Sequence, residues 1–211
     1  MTALNPDFWQ NHFEQNHTPW DRGATSPQLM SWLETQMLQT CRVGIPGCGQ
    51  GWEVATLAAR GFQVVGIDYT AAAVKIAREK LSSQGLNAEI IQADVLEYQP
   101  QTPFDAVYEQ TCLCALSPDC WLRYASQLQR WIRPGGALYL VFMQIERAGA
   151  RKGLVQGPPF HCDINAMHAL FNSTYWTWPE ENPVKIDHPQ GWSELAIRLR
   201  RKPDPVSSLE T

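Results

Sequence analysis

The stretch VGIPGCGQGWEV, Val43 to Val54, decides the fold. An apolar run leads into three glycines, Gly47, Gly49 and Gly51, and a helix-forming sequence follows. Strand, glycine turn and helix in that order bring backbone N–H groups at a helix start close to a ligand. Open α/β sheets bind nucleotide-like molecules in this way. The spacing is G-x-G-x-G, whereas a dinucleotide site has G-x-G-x-x-G. Trp52 occupies the place of the third dinucleotide glycine, which serves close helix–strand packing. The next apolar run, FQVVGID, reads as a strand and ends on Asp68. An acid about 20 positions after the turn accepts hydrogen bonds from a free ribose diol and disfavours a 2′-phosphate. Gln92-Ala93-Asp94 closes a third short run with another acid, placed to meet an adenine amino group.

Outward from this core the chain alternates. CRVGIP, FQVVGID, AEIIQAD, FDAVYEQTC and ALYLVFM are short and apolar, as strands buried on both faces are. Between them, GWEVATLAARG, AAAVKIAREKLSSQG and PDCWLRYASQLQRWI read as helices, with Gly61 as a stop after the first. Right-handed crossovers then put helices on both sides of one sheet. Upstream, Leu29, Trp32, Leu33 and Met37 recur at helical spacing after Ser26-Pro27, a cap followed by proline in the first turn. RPGG, Arg133 to Gly136, reads as a turn. Downstream, QIERAGARKGLVQGPPFHCD is a long loop of the kind that is often functional. INAMHALF reads as a helix, and YWTWPEENPVKIDH and WSELAIRLRRK as two final strands forming a hairpin at the sheet edge. No repeat or linker divides the chain. The expectation is one domain over residues 1–202, with residues 1–27 as an N-terminal cap segment and 203–211 as a frayed tail.

Composition excludes several classes. The 211 residues are 44% hydrophobic and 18% charged, with a formal net charge of -4, as in an ordinary globular protein. The longest basic run is Arg200-Arg201-Lys202, so nucleic acid is not an expected partner. Apolar runs fall short of the roughly 18 residues a membrane span needs, and the N-terminus lacks a secretory signal pattern. No membrane association and a cytoplasmic location are expected. The six cysteines, Cys41, Cys48, Cys112, Cys114, Cys120 and Cys162, contain no C-x-x-C pair and read as buried free thiols. No metal site is expected.

TPWDRGATSPQL, PGCGQGWEV, FDAVYEQTCLCAL, RPGGALYLVF and GPPFHCD run in order over most of the chain. This set resembles the class I S-adenosylmethionine-dependent methyltransferases. Within them it is similar to the thiopurine methyltransferase superfamily, and most of all to its halide and thiol methyltransferase branch. The resemblance implies a Rossmann-like α/β fold: a seven-stranded, mostly parallel sheet with one antiparallel strand, helices on both faces and an N-terminal cap. It implies S-adenosyl-L-methionine as cofactor, with Trp9, Trp20, Gly47, Gly49 and Gly51 beside it. Asp68, Tyr69, Asp94, Val95 and Glu109 complete the expected cofactor site. The GPPF loop is placed beside the acceptor, with Gln110, Cys112 and Phe160 as candidate acceptor contacts.

The sequence departs from that pattern at Glu109-Gln110, where the halide branch usually has Asp-Tyr. The thiopurine enzymes carry Arg at the position of Gln110, so a thiopurine-like acceptor is disfavoured. A sulfonium methyl is already activated, and a soft anion needs no proton removed, so no catalytic residue is assigned. His161 reads as a possible base or as a surface histidine. The expected reaction is methyl transfer to a small soft nucleophile: a thiol, hydrosulfide, halide or thiocyanate. The alternatives are a metalloid or thiopurine-type methyltransferase, a non-catalytic cofactor-binding module, and an NAD-binding oxidoreductase. Trp52 and the lack of a Tyr-x-x-x-Lys motif argue against the last. The expected partner is a small-molecule acceptor, and the expected assembly a monomer or homodimer.

Overall fold

The computed structural model describes residues 6–147, 149, 152 and 154–204. Eight strands form one sheet: β1 Arg42–Pro46, β2 Gln63–Asp68, β3 Glu89–Gln92, β4 Phe104–Gln110, β5 Ile132–Gln144, β6 Trp176–Thr177, β7 Val184–Asp187 and β8 Ser193–Arg201. The helices are α1 Pro6–Glu14, α2 Pro27–Glu34, α3 Trp52–Ala58, α4 Ala71–Ser83, α5 Trp121–Trp131 and α6 Ile164–Leu170. The lateral order is β3-β2-β1-β4-β5-β8-β6, with β7 also paired to β8. Strands β1 to β5 run parallel to one another, and β8 runs antiparallel to β5.

Two apolar layers hold the sheet. On one face α5 and α6 pack Tyr124, Trp131 and Met167 against Phe104, Leu140 and Phe142. On the other, α2, α3 and α4 bring Trp32, Val54 and Val74 onto Val43, Tyr108 and Val141. The strand order reverses between β1 and β4, and the C-terminal ends of the strands open a crevice there, the usual ligand position in such sheets.

The structure differs from the sequence reading at several boundaries. The expected seven strands are eight segments, because the next-to-last predicted strand is split. β6 pairs Trp176 and Thr177 with Arg201 and Arg200, and β7 pairs Val184–Asp187 with Ala196–Ser193, along the same edge of β8. Pro179 and Pro183 lie in the gap, and proline cannot donate to a ladder. The expected terminal hairpin does form between β7 and β8, but β8 is flanked on its other side by β5. Helix α2 starts at Pro27, but Ser26 makes no side-chain capping bond, and the helix ends at Glu34, short of Met37. The RPGG segment is incorporated into β5, with an irregularity opposite Phe104 and Ala106. The expected tail falls, from residue 205 onward, outside the described residues.

Candidate functional site

A cavity of about 480 Å³ occupies the crevice. Its floor is built from strand ends. Gly47 follows β1 in a left-handed conformation, φ +58, and a Cβ there would sit 2.9 Å from the Cys112 Cβ. Gly49 is also left-handed, φ +50, and Phe13 approaches it from the cap. Only glycine holds both geometries without strain, so the turn can lie close under a ligand. Gly51 is different. It precedes α3 at φ +74, and its missing Cβ admits Ala77 of α4 to 3.0 Å. The third glycine therefore serves helix packing and is not among the residues lining the cavity, unlike Gly47 and Gly49.

Asp68 ends β2 at 6% exposure and lines the cavity. Its Oδ1 accepts from the Thr70 N–H at 3.0 Å and the Thr70 hydroxyl at 2.9 Å, and its Oδ2 accepts from the Gly49 N–H at 3.0 Å. A carboxylate offers about four acceptor positions, so acceptor capacity is left over beside the cavity. Burial pushes this carboxyl above its usual range, opposed by the hydrogen bonds from Thr70 and Gly49. Tyr69, Asp94 and Val95 line the same end. Asp94 is solvent-exposed and accepts from the Leu96 N–H at 2.8 Å.

The cap closes one side. Helix α1 and the segment after it present Trp9, Phe13 and Trp20, with Trp9 edge-on to Trp20 at 5.0 Å between ring centres. The sequence reading had no helix here. Gln10 ties α1 to the start of α4 by accepting from the Ala72 N–H at 3.1 Å. The Trp52 indole donates to Asp21 at 3.3 Å, and its ring carries the Lys80 ammonium at 2.7 Å from its centre. Trp52 thus packs between the cap and α4 at the cavity's edge.

The far end is assembled from distant segments. Strand β4 alternates, so Tyr108 and Gln110 face the cavity while Glu109 turns to the opposite face. Glu109 is fully buried, accepts from the Leu113 N–H at 2.7 Å, and leaves Oε2 without a partner. Burial, with the nearby Glu194, raises its pKa to about 8. Glu109, expected beside the cofactor, is thus not among the residues lining the cavity. Gln110 donates from Nε2 to both Glu194 oxygens at 3.0 Å. Glu194, at 0% exposure, also receives Arg22 Nη2 at 2.5 Å, and Arg22 Nη1 donates to the Asp187 carbonyl at 3.1 Å. A buried ion pair thus fastens the cap to the β7–β8 hairpin.

Cys48, Cys112, Cys114 and Met143 give the wall a sulfur-rich lining. Burial above all holds the three thiols well above their ordinary pKa, helped by Asp68 at Cys48, by Glu109 at Cys112 and by Cys162 and Glu109 at Cys114, so they remain protonated. Among the described residues, no group of three or more His, Cys, Asp or Glu is placed to hold a metal. Phe160 is buried and does not line the cavity. Its N–H donates to the Cys114 carbonyl at 2.7 Å, and its ring packs under Gly157, pinning the GPPF loop while Pro158 and Pro159 face inward. His161 is exposed, and its Nδ1 accepts from the Ile145 N–H at 3.1 Å, so it is a surface histidine holding loop structure. Sequence reasoning missed Arg22, Arg147, Glu194 and Trp192. An acid in phase with the buried positions of the last strand was the available signal for Glu194.

These residues fit S-adenosylmethionine: a left-handed glycine turn with no room for side chains, a buried acid with spare acceptor capacity, and an aromatic cap. Comparison with known proteins agrees. The family described as Thiopurine S-methyltransferase (TPMT) matches residues 4–190. A protein of Arabidopsis thaliana named Probable thiol methyltransferase 2 is 30% identical over 169 residues, covering 78% of this chain and 71% of that protein. The thiopurine S-methyltransferase of Pseudomonas putida is 27% identical, covering 87% of this chain and 89% of that protein. The solved 1,6-didemethyltoxoflavin-N1-methyltransferase of Burkholderia thailandensis, bound to S-adenosylhomocysteine, shares the fold. Its TM-score is 0.75 at 15% identity, covering 94% of this chain and 87% of that one. Among the described residues no helix is long and apolar enough to cross a membrane.

Proposed function

The chain belongs to the thiopurine S-methyltransferase family and is an S-adenosylmethionine-dependent methyltransferase, and from that premise we propose that its acceptor is a small soft nucleophile: a thiol, hydrosulfide, halide or thiocyanate. The observation that carries this reading is the wall of neutral sulfur groups, Cys48, Cys112, Cys114 and Met143, facing the cavity. A polarisable, weakly hydrated anion loses little on leaving water for such a wall, whereas a strongly hydrated one is penalised. Asp68 would hold the ribose hydroxyls, Gly47 and Gly49 would lie beneath the methionine part, and Trp9 and Trp20 would close over it. When bound, the cofactor supplies an activated sulfonium methyl. The chain's own residues position the acceptor and exclude water, which is the main contribution such a displacement requires.

Gln110 occupies the place of the thiopurine-enzyme arginine, and its amide is committed to Glu194. A heteroaromatic thiolate therefore has no cation from β4 to meet. The test is headspace detection of methylated products from a panel of acceptors. Turnover should be highest for iodide or hydrosulfide, lower for bromide and lowest for chloride, with thiopurines poor. Efficient turnover of a thiopurine with none of iodide or hydrosulfide would overturn this choice of acceptor.

A further inference from the structure

Two arginines line the cavity, Arg22 and Arg147. Arg22 is neutralised by the buried Glu194. Arg147 has no carboxylate partner among the described residues. Its Nη2 donates to the carbonyls of Pro158 at 3.4 Å and Pro159 at 3.2 Å, and its buried Nε has no partner among the described residues. Carbonyl groups orient the guanidinium without cancelling its charge. Arg147 is half-buried, and its guanidinium charge at the cavity wall is open to an incoming anion.

We infer that Arg147 is the acceptor-specificity residue of this enzyme and that it holds the carboxylate of a small aliphatic thiol acid. This rests on the acceptor class proposed above and narrows it. The guanidinium fork matches a planar carboxylate with two parallel hydrogen bonds, which a spherical halide cannot use. The charge of the reacting sulfur cannot be what Arg147 serves. That charge vanishes as the thiolate's electron pair forms the new S–C bond, the donor's S–CH3 bond breaks with its pair staying on the donor sulfur, and the thiol proton has already gone to solvent. A cation at the reacting sulfur would stabilise the reactant more than the transition state and slow the step. A carboxylate two carbons away keeps its charge throughout. Arg147 then binds ground state and transition state alike, and its effect falls on KM with kcat nearly constant.

The test compares 3-mercaptopropionate with its methyl ester, which keeps the thiol and removes the carboxylate charge. In the full-length enzyme the acid should have a KM at least tenfold below that of the ester. Arg147→Met should erase that preference through KM, and Arg147→Lys should restore only part of it, because Lys keeps the charge and loses the fork. Titration of 3-mercaptopropionate into the S-adenosylhomocysteine-loaded protein gives a second readout independent of turnover. Affinity should fall at least tenfold in Arg147→Met. Equal KM for acid and ester, or equal affinity in wild type and Arg147→Met, overturns the assignment. If the acid binds in an Arg147-dependent way but no member of the acceptor panel is methylated, the acceptor class fails and the anion subsite stands.

Discussion

The two ends of the cavity are built by different means. At the end assigned to the cofactor, Gly47 follows β1, Asp68 closes β2 and Asp94 follows β3, and the acids bond to backbone of the same βα units: Asp68 takes Gly49 and Thr70, and Asp94 takes Leu96. At the acceptor end, Arg22 reaches Glu194 across 172 residues and Gln110 reaches it across 84. The cofactor end is a property of consecutive βα units; the acceptor end exists only once the cap, β4, the 144–163 loop and the last hairpin have met.

The contrast can be broken most severely at the ion pair. Arg22→Met leaves Glu194 buried with its charge opposed only by the Gln110 amide, and should lower stability by about 3–5 kcal/mol. The double change Arg22→Met with Glu194→Leu should recover much of that loss. Thermal unfolding of both variants is the measurement, and an unchanged midpoint in Arg22→Met would show that the acceptor end does not depend on the pair.

Asp68→Ala should act on binding. Removal of an acceptor charge should weaken S-adenosylhomocysteine by about 1.5–3 kcal/mol, read by calorimetric titration after circular dichroism has shown a folded protein. Full affinity would remove Asp68 from the cofactor end.

The effect with the smallest required change concerns Glu109, buried on the face of β4 away from the cavity. Its folded pKa is about 8, whereas an unfolded glutamate titrates near about 4.3. Between those values the folded state holds the extra proton, so stability falls as pH rises from about 4.3 and levels off above about 8. Glu109→Gln keeps an acceptor for the Leu113 N–H and removes the titration. The wild-type midpoint should drop relative to Glu109→Gln between pH 5 and 8.5 by at least ~1 kcal/mol, about 2–4 °C for a chain of this size. Parallel pH profiles would show that Glu109 stays ionised throughout.

The same contrast explains what could be read from the sequence. The glycine turn, Asp68 and Asp94 were legible because their meaning lies in spacing along alternating strands and helices. That Glu109 lies off the cavity wall was not legible, because a motif gives position but not side-chain direction, and strand alternation decides the direction. That Phe160 packs beneath the loop was not legible either, because loop aromatics have no periodicity to show which way they face. Arg147 was invisible for the same reason, since only the folded loop sets it against Pro158 and Pro159. The helix α1 was missed because its apolar residues face a cap cavity and not a continuous core.

The broken outer strand has a consequence for company. Both margins of the sheet are short: β3 has four residues, and the opposite margin is divided into two residues of β6 and four of β7. Between those last pieces Pro179 and Pro183 offer no N–H, and Lys185 places a charge on the second. An unpaired strand invites a foreign strand in proportion to its unbroken length. Neither rim can template a long foreign ladder, so any self-association of this protein is directed to its helical faces or its cap, and a continuous intermolecular sheet is discouraged by the chain itself.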